Sequence, residues 1–278
     1  MKKLLLLVCC ALALPLSILA QEAPTTVVEK YADRTINGVI IAGAFDVQLA
    51  QADGASRKVG AKVEVQQELA DKLVFEYTDE GYVRLSFKND VSKYFTGSKK
   101  KPQAWITVSE LKYLNVTGAS SVVCTGICST EGDLRILTSG TASVNLLEAS
   151  AGTLHVEASG TSNVSDAKLT VAGEAVAEVS GTSKLSGTVK CGDVKFVVSG
   201  VSSVTLAGEA AKAEVEMSGT GSADLEHFAV GEMTAKVSGM GKVKANVTAG
   251  GTAEVSTMGS FRYTGAGLVT GKGVKRLD

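Results

Sequence analysis

The chain lacks an excess of either charge: 28 lysines and arginines stand against 29 aspartates and glutamates, a net charge of −1 over 278 residues. Nucleic-acid binders carry a basic footprint, and this balance excludes nucleic acid as an expected partner. Histidine is nearly missing. His155 and His227 stand alone, with no serine, cysteine or aspartate pattern around them that resembles a hydrolytic triad or zinc-ligand spacing, so no metal or cofactor is expected. Aromatic residues make up 5% and prolines number three, whereas glycines number 30 and valine, threonine and serine recur throughout. Such a composition favours numerous short strands joined by tight turns and leaves little room for helix.

Long apolar runs are also absent, except at the start. "MKKLLLLVCCALALPLSILAQE" has two lysines, an apolar run from Leu4 to Leu14, then Pro15 and the small Ala20 before polar Gln21. That is the layout of a secretory signal peptide cleaved after Ala20. The run is too short for a spanning helix, which needs ~20 apolar residues, and no later segment is long and apolar enough to cross a membrane. A lipid anchor at Cys9 or Cys10 would have only Leu4 to Val8 as its hydrophobic stretch. The expectation is therefore an exported protein, placed in the periplasm, at the cell surface or secreted.

Three cysteines remain after such processing: Cys124, Cys128 and Cys191. An export compartment permits disulfides, and a turn at Thr125-Gly126 would let Cys124 bridge to Cys128. Two buried thiols would suit the same sequence equally well.

What the chain has in abundance is one recurring phrase. A Ser-Gly pair, or a close variant, returns at Thr117, Ser139, Ser159, Ser180, Ser199, Ser218, Ser238 and Ser256. A repeat of about twenty residues marks a solenoid, because each unit must bury its apolar face against its neighbours. One and three residues before each anchor the positions are apolar (Val179 and Ala177, Val198 and Phe196, Val237 and Ala235), with Thr138 the exception, and the residue between them is mostly polar. Period-two alternation of this kind is a strand with one face inward. A second strand follows the anchor, with Val122, Val144, Val164, Leu185 and Val204 in one column. The position three after the anchor is always small, from Ser120 to Gly259, and glycines such as Gly132, Gly152, Gly173, Gly192 and Gly231 mark another corner. Each coil is thus expected to run strand, Ser-Gly corner, strand, Gly-acid corner, and the coils stack into parallel ladders. Parallel crossovers are right-handed as a rule. In this register Cys128 and Cys191 lie three coils, or ~14 Å, apart along the stack and cannot pair.

The first third is less regular. After a signal peptide at 1–20 and a polar lead-in at 21–34, strand patterns at 37–41, 45–51, 58–66, 73–78 and 82–88 predict an N-terminal β region over 35–110 that caps the first coil. A helical turn is expected at "QELADKL". Solenoid ends need such covers, since an open edge invites pairing with other chains. The basic loop "KYFTGSKKKPQAWITV", with Tyr94, Phe95 and Trp105 nearby, offers a sugar or anionic-surface contact as an alternative, but is read as a solvated loop beside a core tryptophan. The β-helix repeats then occupy 111–263, and 264–278 finishes the last coil. The fold class is all-β: a parallel β-helix or solenoid with ~20-residue coils.

With the "VSGTS" phrases, the opening "GVIIAGAFDVQLAQADG", the strand Asp79 to Phe87 and the corner Thr117 to Ser120 in view, the chain resembles the bacterial auto-transporter adhesin head domain, the GIN domain. The resemblance runs from about Thr35 to Tyr263. It implies an exported β-helical protein with an adhesin-like role, and it carries no catalytic residues over.

Three classes of function are compatible with these patterns. The first is a non-catalytic surface-interaction module contacting a glycan, a host or envelope protein. Its candidate surface is the outward columns two and four before each anchor, including His155, Glu157, Glu178, Lys195, Glu214 and Glu216. The second is a polysaccharide-processing enzyme on a pectinase-like β-helix. Its sharpest pair is Glu174 and Asp193, which fall on adjacent coils at ~5 Å spacing and could serve retaining hydrolysis or hold calcium. Both follow turn glycines, however, and the repeats contain a single arginine, Arg135, where a lyase would want a clustered base. The third is a structural cell-envelope component.

Overall fold

Inward and outward residues alternate along every repeat, and in the structure that alternation becomes the wall of a hollowless tube. A computed structural model describes residues 24–54, 57–89, 91–95, 100–256 and 258–277; the signal peptide expected at 1–20 lies outside them. The protein is a parallel β-solenoid of about eight turns.

Its N-terminal part contains β1 (Thr25–Lys30), β2 (Gly38–Gly43), β3 (Asp46–Gln51), β4 (Gly60–Gln66), β5 (Leu73–Tyr77), β6 (Tyr82–Phe87), β7 (Gln103–Val108), β8 (Tyr113–Gly118) and β9 (Ser121–Cys124). A 3-10 helix at Gln67–Lys72 occupies the expected helical turn. β2 and β3 are themselves a coil: β2 pairs in parallel with β8, Gly43 opposite Gly118, and β3 pairs in parallel with β9. On their other side β2 pairs with β6 and β3 with β7, also in parallel. The chain therefore starts one rung in, descends to build the end rung, and returns to stack on top of its own beginning. Antiparallel strands close that end, β5 against β6 and β4 against β7, with β1 outside β4. β1 lies within the segment whose composition suggests only a polar lead-in. Its burial alternates weakly, because one face is solvent and the pairing is made by the backbone.

Beyond β9 the rungs follow chain order. Val179 stands opposite Val198, and Val198 opposite Met217, on neighbouring strands that point the same way. The coil has three ladders, not two. Between the second strand and the Gly-acid corner a further short strand forms, Ile127–Ser129 against Glu148–Ala151 and then Lys168 to Val171. In later coils it merges with its neighbours into bent strands such as Ser203–Met217 and Ser222–Val237, the latter two paired with a register shift between Thr205 and Ala207. A bend of that kind leaves little period-two signal.

The Ser-Gly corner carries the winding. Gly140, Gly160, Gly181, Gly200, Gly219 and Gly239 all have φ between +70° and +78° or close to it, at most +86°. A Cβ on any of them would stand 2.5–2.7 Å from the carbonyl oxygen of the glycine one rung below. Only glycine satisfies both the left-handed backbone and that approach. The ladder runs through the bend unbroken: Thr182 N–H donates to Gly160 O at 2.7 Å and Val201 N–H to Gly181 O at 2.8 Å. The anchor hydroxyls join in, Ser159 Oγ donating to Thr138 O at 3.3 Å and Ser238 Oγ to Met217 O at 3.1 Å.

Just past the corner, Ser120, Ser162, Ser183 and Ser202 point inward and are fully buried. Burying hydroxyls is costly unless they are paired. Ser183 Oγ donates to Gly160 O at 3.4 Å and lies 3.3 Å from Ser162 Oγ, which is 2.9 Å from Thr138 Oγ1. Where glycine replaces serine the space is used by a neighbour: a Cβ at Gly241 would meet Met217 Sδ at 2.7 Å. The rest of the core is a column of valine, leucine and alanine with Phe45, Phe196, Phe228 and Phe261 as the large fillers.

Candidate binding face

The outward residues of the first ladder form a continuous surface on one side of the solenoid. Two columns run along it in register. In one, Arg135, His155, Val176, Lys195, Glu214 and Thr234 succeed one another rung by rung. In the other, Glu157, Glu178, Val197, Glu216 and Lys236 do the same. All six candidate residues therefore lie on one face, where strand alternation puts them. Glu157 and Glu178 are direct neighbours on adjacent rungs, ~4.8 Å apart in backbone.

Only part of the set interacts. Lys195 Nζ donates to Glu216 Oε1 at 3.1 Å and stands 3.5 Å from Glu214 Oε2. That hydrogen bond holds the Glu216 carboxyl below the ordinary carboxylate range and, from the other side, raises the Lys195 ammonium above its own. The arrangement is present above the ordinary carboxylate range and loosens as pH falls through the lowered value at Glu216. With both side chains substantially exposed it is a patterning device more than a source of stability. His155 and Lys195 are separated by Val176, and Glu178 and Glu216 by Val197. Similar cross-rung pairs recur elsewhere, Lys168 with Glu148 at 3.1 Å and Lys190 with Glu209 at 3.0 Å, so complementary charge helps hold each coil in register.

Glu174 and Asp193 are opposite one another on adjacent strands, both exposed at the corner. The next rung supplies Lys212, opposite Asp193, and Lys212 in turn lies 4.0 Å from Glu232. Among the described residues no three histidine, cysteine, aspartate or glutamate side chains are gathered as a metal site.

Cys124 and Cys128 face the interior on either side of the Thr125-Gly126 corner as free thiols, in hydrogen-bond contact with each other. The contact and burial push the Cys124 thiol well up. At Cys128 the hydrogen bond from Cys124 brings the thiol down, helped by Arg57 and opposed by burial. Arg57 is fixed over this corner, its Nη1 donating to Thr125 O at 2.7 Å. The pair thus ionises at Cys128 first. Cys191 lies apart, its thiol pushed up to about 11 by burial and by the nearby Asp193.

Trp105 is not in the core. Ala104, Ile106 and Val108 are the buried residues of β7, and Trp105 faces outward between them, half-buried. The alternation in "QAWITV" carries this signal, and the size of the side chain hides it. Tyr94 and Phe95, by contrast, pack against the core, and Lys72 Nζ donates to Tyr94 Oη at 2.6 Å.

Family comparison agrees with this geometry. The family described as "Putative auto-transporter adhesin, head GIN domain" matches residues 36–176 and 163–267. The chain belongs to this family. The two matches follow one another along the chain and overlap only at 163–176, less than one coil. Crystal structures show the same fold. A "putative adhesin" from Parabacteroides merdae superposes with a TM-score of 0.60 at 19% identity, covering 93% of this chain and 98% of its own. Another "putative adhesin", from Parabacteroides distasonis, gives 0.62 at 20% identity, covering 92% and 98%. A "putative lipid binding protein" from the latter organism gives 0.57 at 15% identity, covering 91% and 97%. No curated protein matches the chain. Among the described residues no helix is long and apolar enough to cross a membrane.

Proposed function

We propose that this protein is an exported, adhesin-like surface-interaction module that engages a glycan or a protein along the outer faces of its solenoid and performs no catalysis. The observation that carries the reading is the continuous outward surface of the first ladder, on which His155, Glu157, Glu178, Lys195, Glu214 and Glu216 are held in unbroken register by the strands beneath them. A surface of this kind is rigid before it binds, so little ordering cost opposes association. The family membership and the neighbours named as adhesins support the same reading, and the signal-peptide pattern at 1–20 supports export.

The test is a binding screen of the mature chain against glycan arrays and immobilised matrix and envelope proteins, run beside a polysaccharide depolymerisation assay. Saturable binding without turnover is the expected result, weakened by the double reversal Glu178→Lys, Lys195→Glu with the circular dichroism spectrum unchanged. Release of reducing ends or unsaturated products would replace this reading with the enzymatic one, in which case Glu174→Gln and Asp193→Asn are the first variants to make. No binding and no turnover, with assembly into large species in solution, would point to the structural class.

A further inference from the structure

Trp105 is the single tryptophan of the chain, and it stands on the outer side of the sheet near its N-terminal edge. One row crosses that face perpendicular to the strands: Glu29, Lys62, Trp105, Gln48 and Val123, each opposite the next on β1, β4, β7, β3 and β9. The row on one side is low, with Thr107, Gly60 and Ala50, and the other carries Glu64, Gln103, Asp46 and Ser121, so the ring is half-buried and open over the lower row.

Two concavities of mixed polar and apolar lining meet at it. The smaller, about 190 Å³, is lined by Trp105 with Asp46, Gln48, Gln103 and Ser121. The larger, about 560 Å³, runs from Trp105 and Lys62 toward Tyr31, Asp33 and Lys58. Lys62 Nζ lies 5.4 Å from the indole centroid and 3.8 Å from Glu29. Tyr31 is the one described non-glycine residue with a left-handed backbone, φ +69°, and it is locked there by its hydroxyl, which donates to Phe75 O at 2.9 Å, and by edge-on packing against the Phe75 ring at 5.3 Å. Strain of this kind persists only where surrounding contacts over-determine it, and such positions cluster at binding sites.

We propose that Trp105 is the stacking platform of an oligosaccharide subsite, taking the apolar C–H face of a pyranose ring on its indole. This rests on the reading of the protein as a binding module. A half-buried indole offers the open part of its apolar surface beside a polar rim. Sugar hydroxyls donate and accept at once, and so do the amides of Gln48 and Gln103 and the hydroxyl of Ser121, while the Asp46 carboxylate accepts. All of these side chains project from strands, which places them more firmly than loops would. The larger concavity continues the track for a second sugar unit; Lys30, Lys58 and Lys62 line it with Glu29 and Asp33, so a unit that carries a carboxylate would sit on its lysine side.

Because the chain has one tryptophan, its fluorescence reports on this site alone. The mature protein is titrated with cellohexaose, chitohexaose and hexagalacturonate, and binding is measured in parallel by calorimetry. The expected result is a saturable change in Trp105 emission with at least one of the three. Calorimetric affinity should fall about tenfold or more in Trp105→Ala, recover in part in Trp105→Phe, and fall about fivefold in Gln48→Ala, the scale of one stacked ring and one hydrogen bond. Thermal melts of the variants check the fold, and Trp105→Phe guards against a folding defect in the alanine variant. Selective response to hexagalacturonate would place the acidic unit over the lysines, and response to the neutral sugars would place recognition at the amides. A saccharide that binds calorimetrically with no change in emission, and equally well in Trp105→Ala, would overturn this site while leaving the binding function intact. No response to any of the three, with binding to a protein partner in the wider screen, would also overturn it.

Discussion

At Gly181 the backbone takes φ +74°, and an added Cβ would stand 2.5 Å from the Gly160 carbonyl oxygen. Gly181→Ala must strain the corner and push the rungs apart, at a cost of about 1–3 kcal/mol. Gly192 has no left-handed φ, and a Cβ there would lie 3.3 Å from the Gly173 oxygen. Urea titration of the two variants should show a large loss for Gly181→Ala and a clearly smaller one for Gly192→Ala; equal losses would refute the corner argument. Cys191 supplies a second residue-level expectation. With its thiol held up to about 11, alkylation by iodoacetamide should be slow at pH 8 and still rising at pH 10, and Asp193→Asn should bring the rate profile to lower pH.

Elements are tied to one another by the same few devices. The Thr125-Gly126 corner holds Cys124 and Cys128 in contact; Cys128 is the thiol held down, but both are buried, so reaction with a disulfide requires the corner to open. We expect oxidised glutathione to convert the pair to a disulfide, each bridge releasing two reduced glutathione molecules and lowering the protein mass by two hydrogens. Cys124→Ser should stop at a mixed disulfide on Cys128. At the N-terminal end, β1 covers the outer edge of β4 through six residue pairs from Thr25↔Gln66 to Lys30↔Ala61. A chain shortened to begin after Lys30 would leave that edge open, and open edges recruit other strands. Light scattering should then show association that the longer chain does not, and a monodisperse monomer would argue that the cap is made by β4 and β5 alone.

For the whole molecule, stability is a sum over rungs and their interfaces. Central coils such as Thr153–Ala158 to Ser222–Val237 have neighbours on both sides, whereas Leu268–Thr270 and Val274–Arg276 are short strands at the C-terminal end, the first stacked on Gly250–Thr252 and the second on Phe261–Tyr263. Hydrogen exchange should therefore be slowest in the middle and fastest at Leu268–Arg276, with the N-terminal rung slower than the C-terminal one because β4 and β5 cover it. Uniform protection from end to end would mean that the solenoid opens as one unit.

The sequence by itself determined the winding. Glycine at most corners, a small residue three past each anchor and period-two alternation in the flanking strands are local requirements, and each leaves its own residue type at a repeating position. The shared face of His155, Glu157, Glu178, Lys195, Glu214 and Glu216 was legible for the same reason. Tertiary structure alone decided three things. The first is the order of the end rungs, since nothing local to β2 says that β6 lies below it and β8 above. The second is the third ladder, whose bent strands lose the alternation that would announce them. The third is which side chains meet: Lys195 reaches Glu216 diagonally, and Trp105 stands between Lys62 and Gln48, because strands distant in the chain were brought into register by pairings whose specificity is spread over the entire sheet.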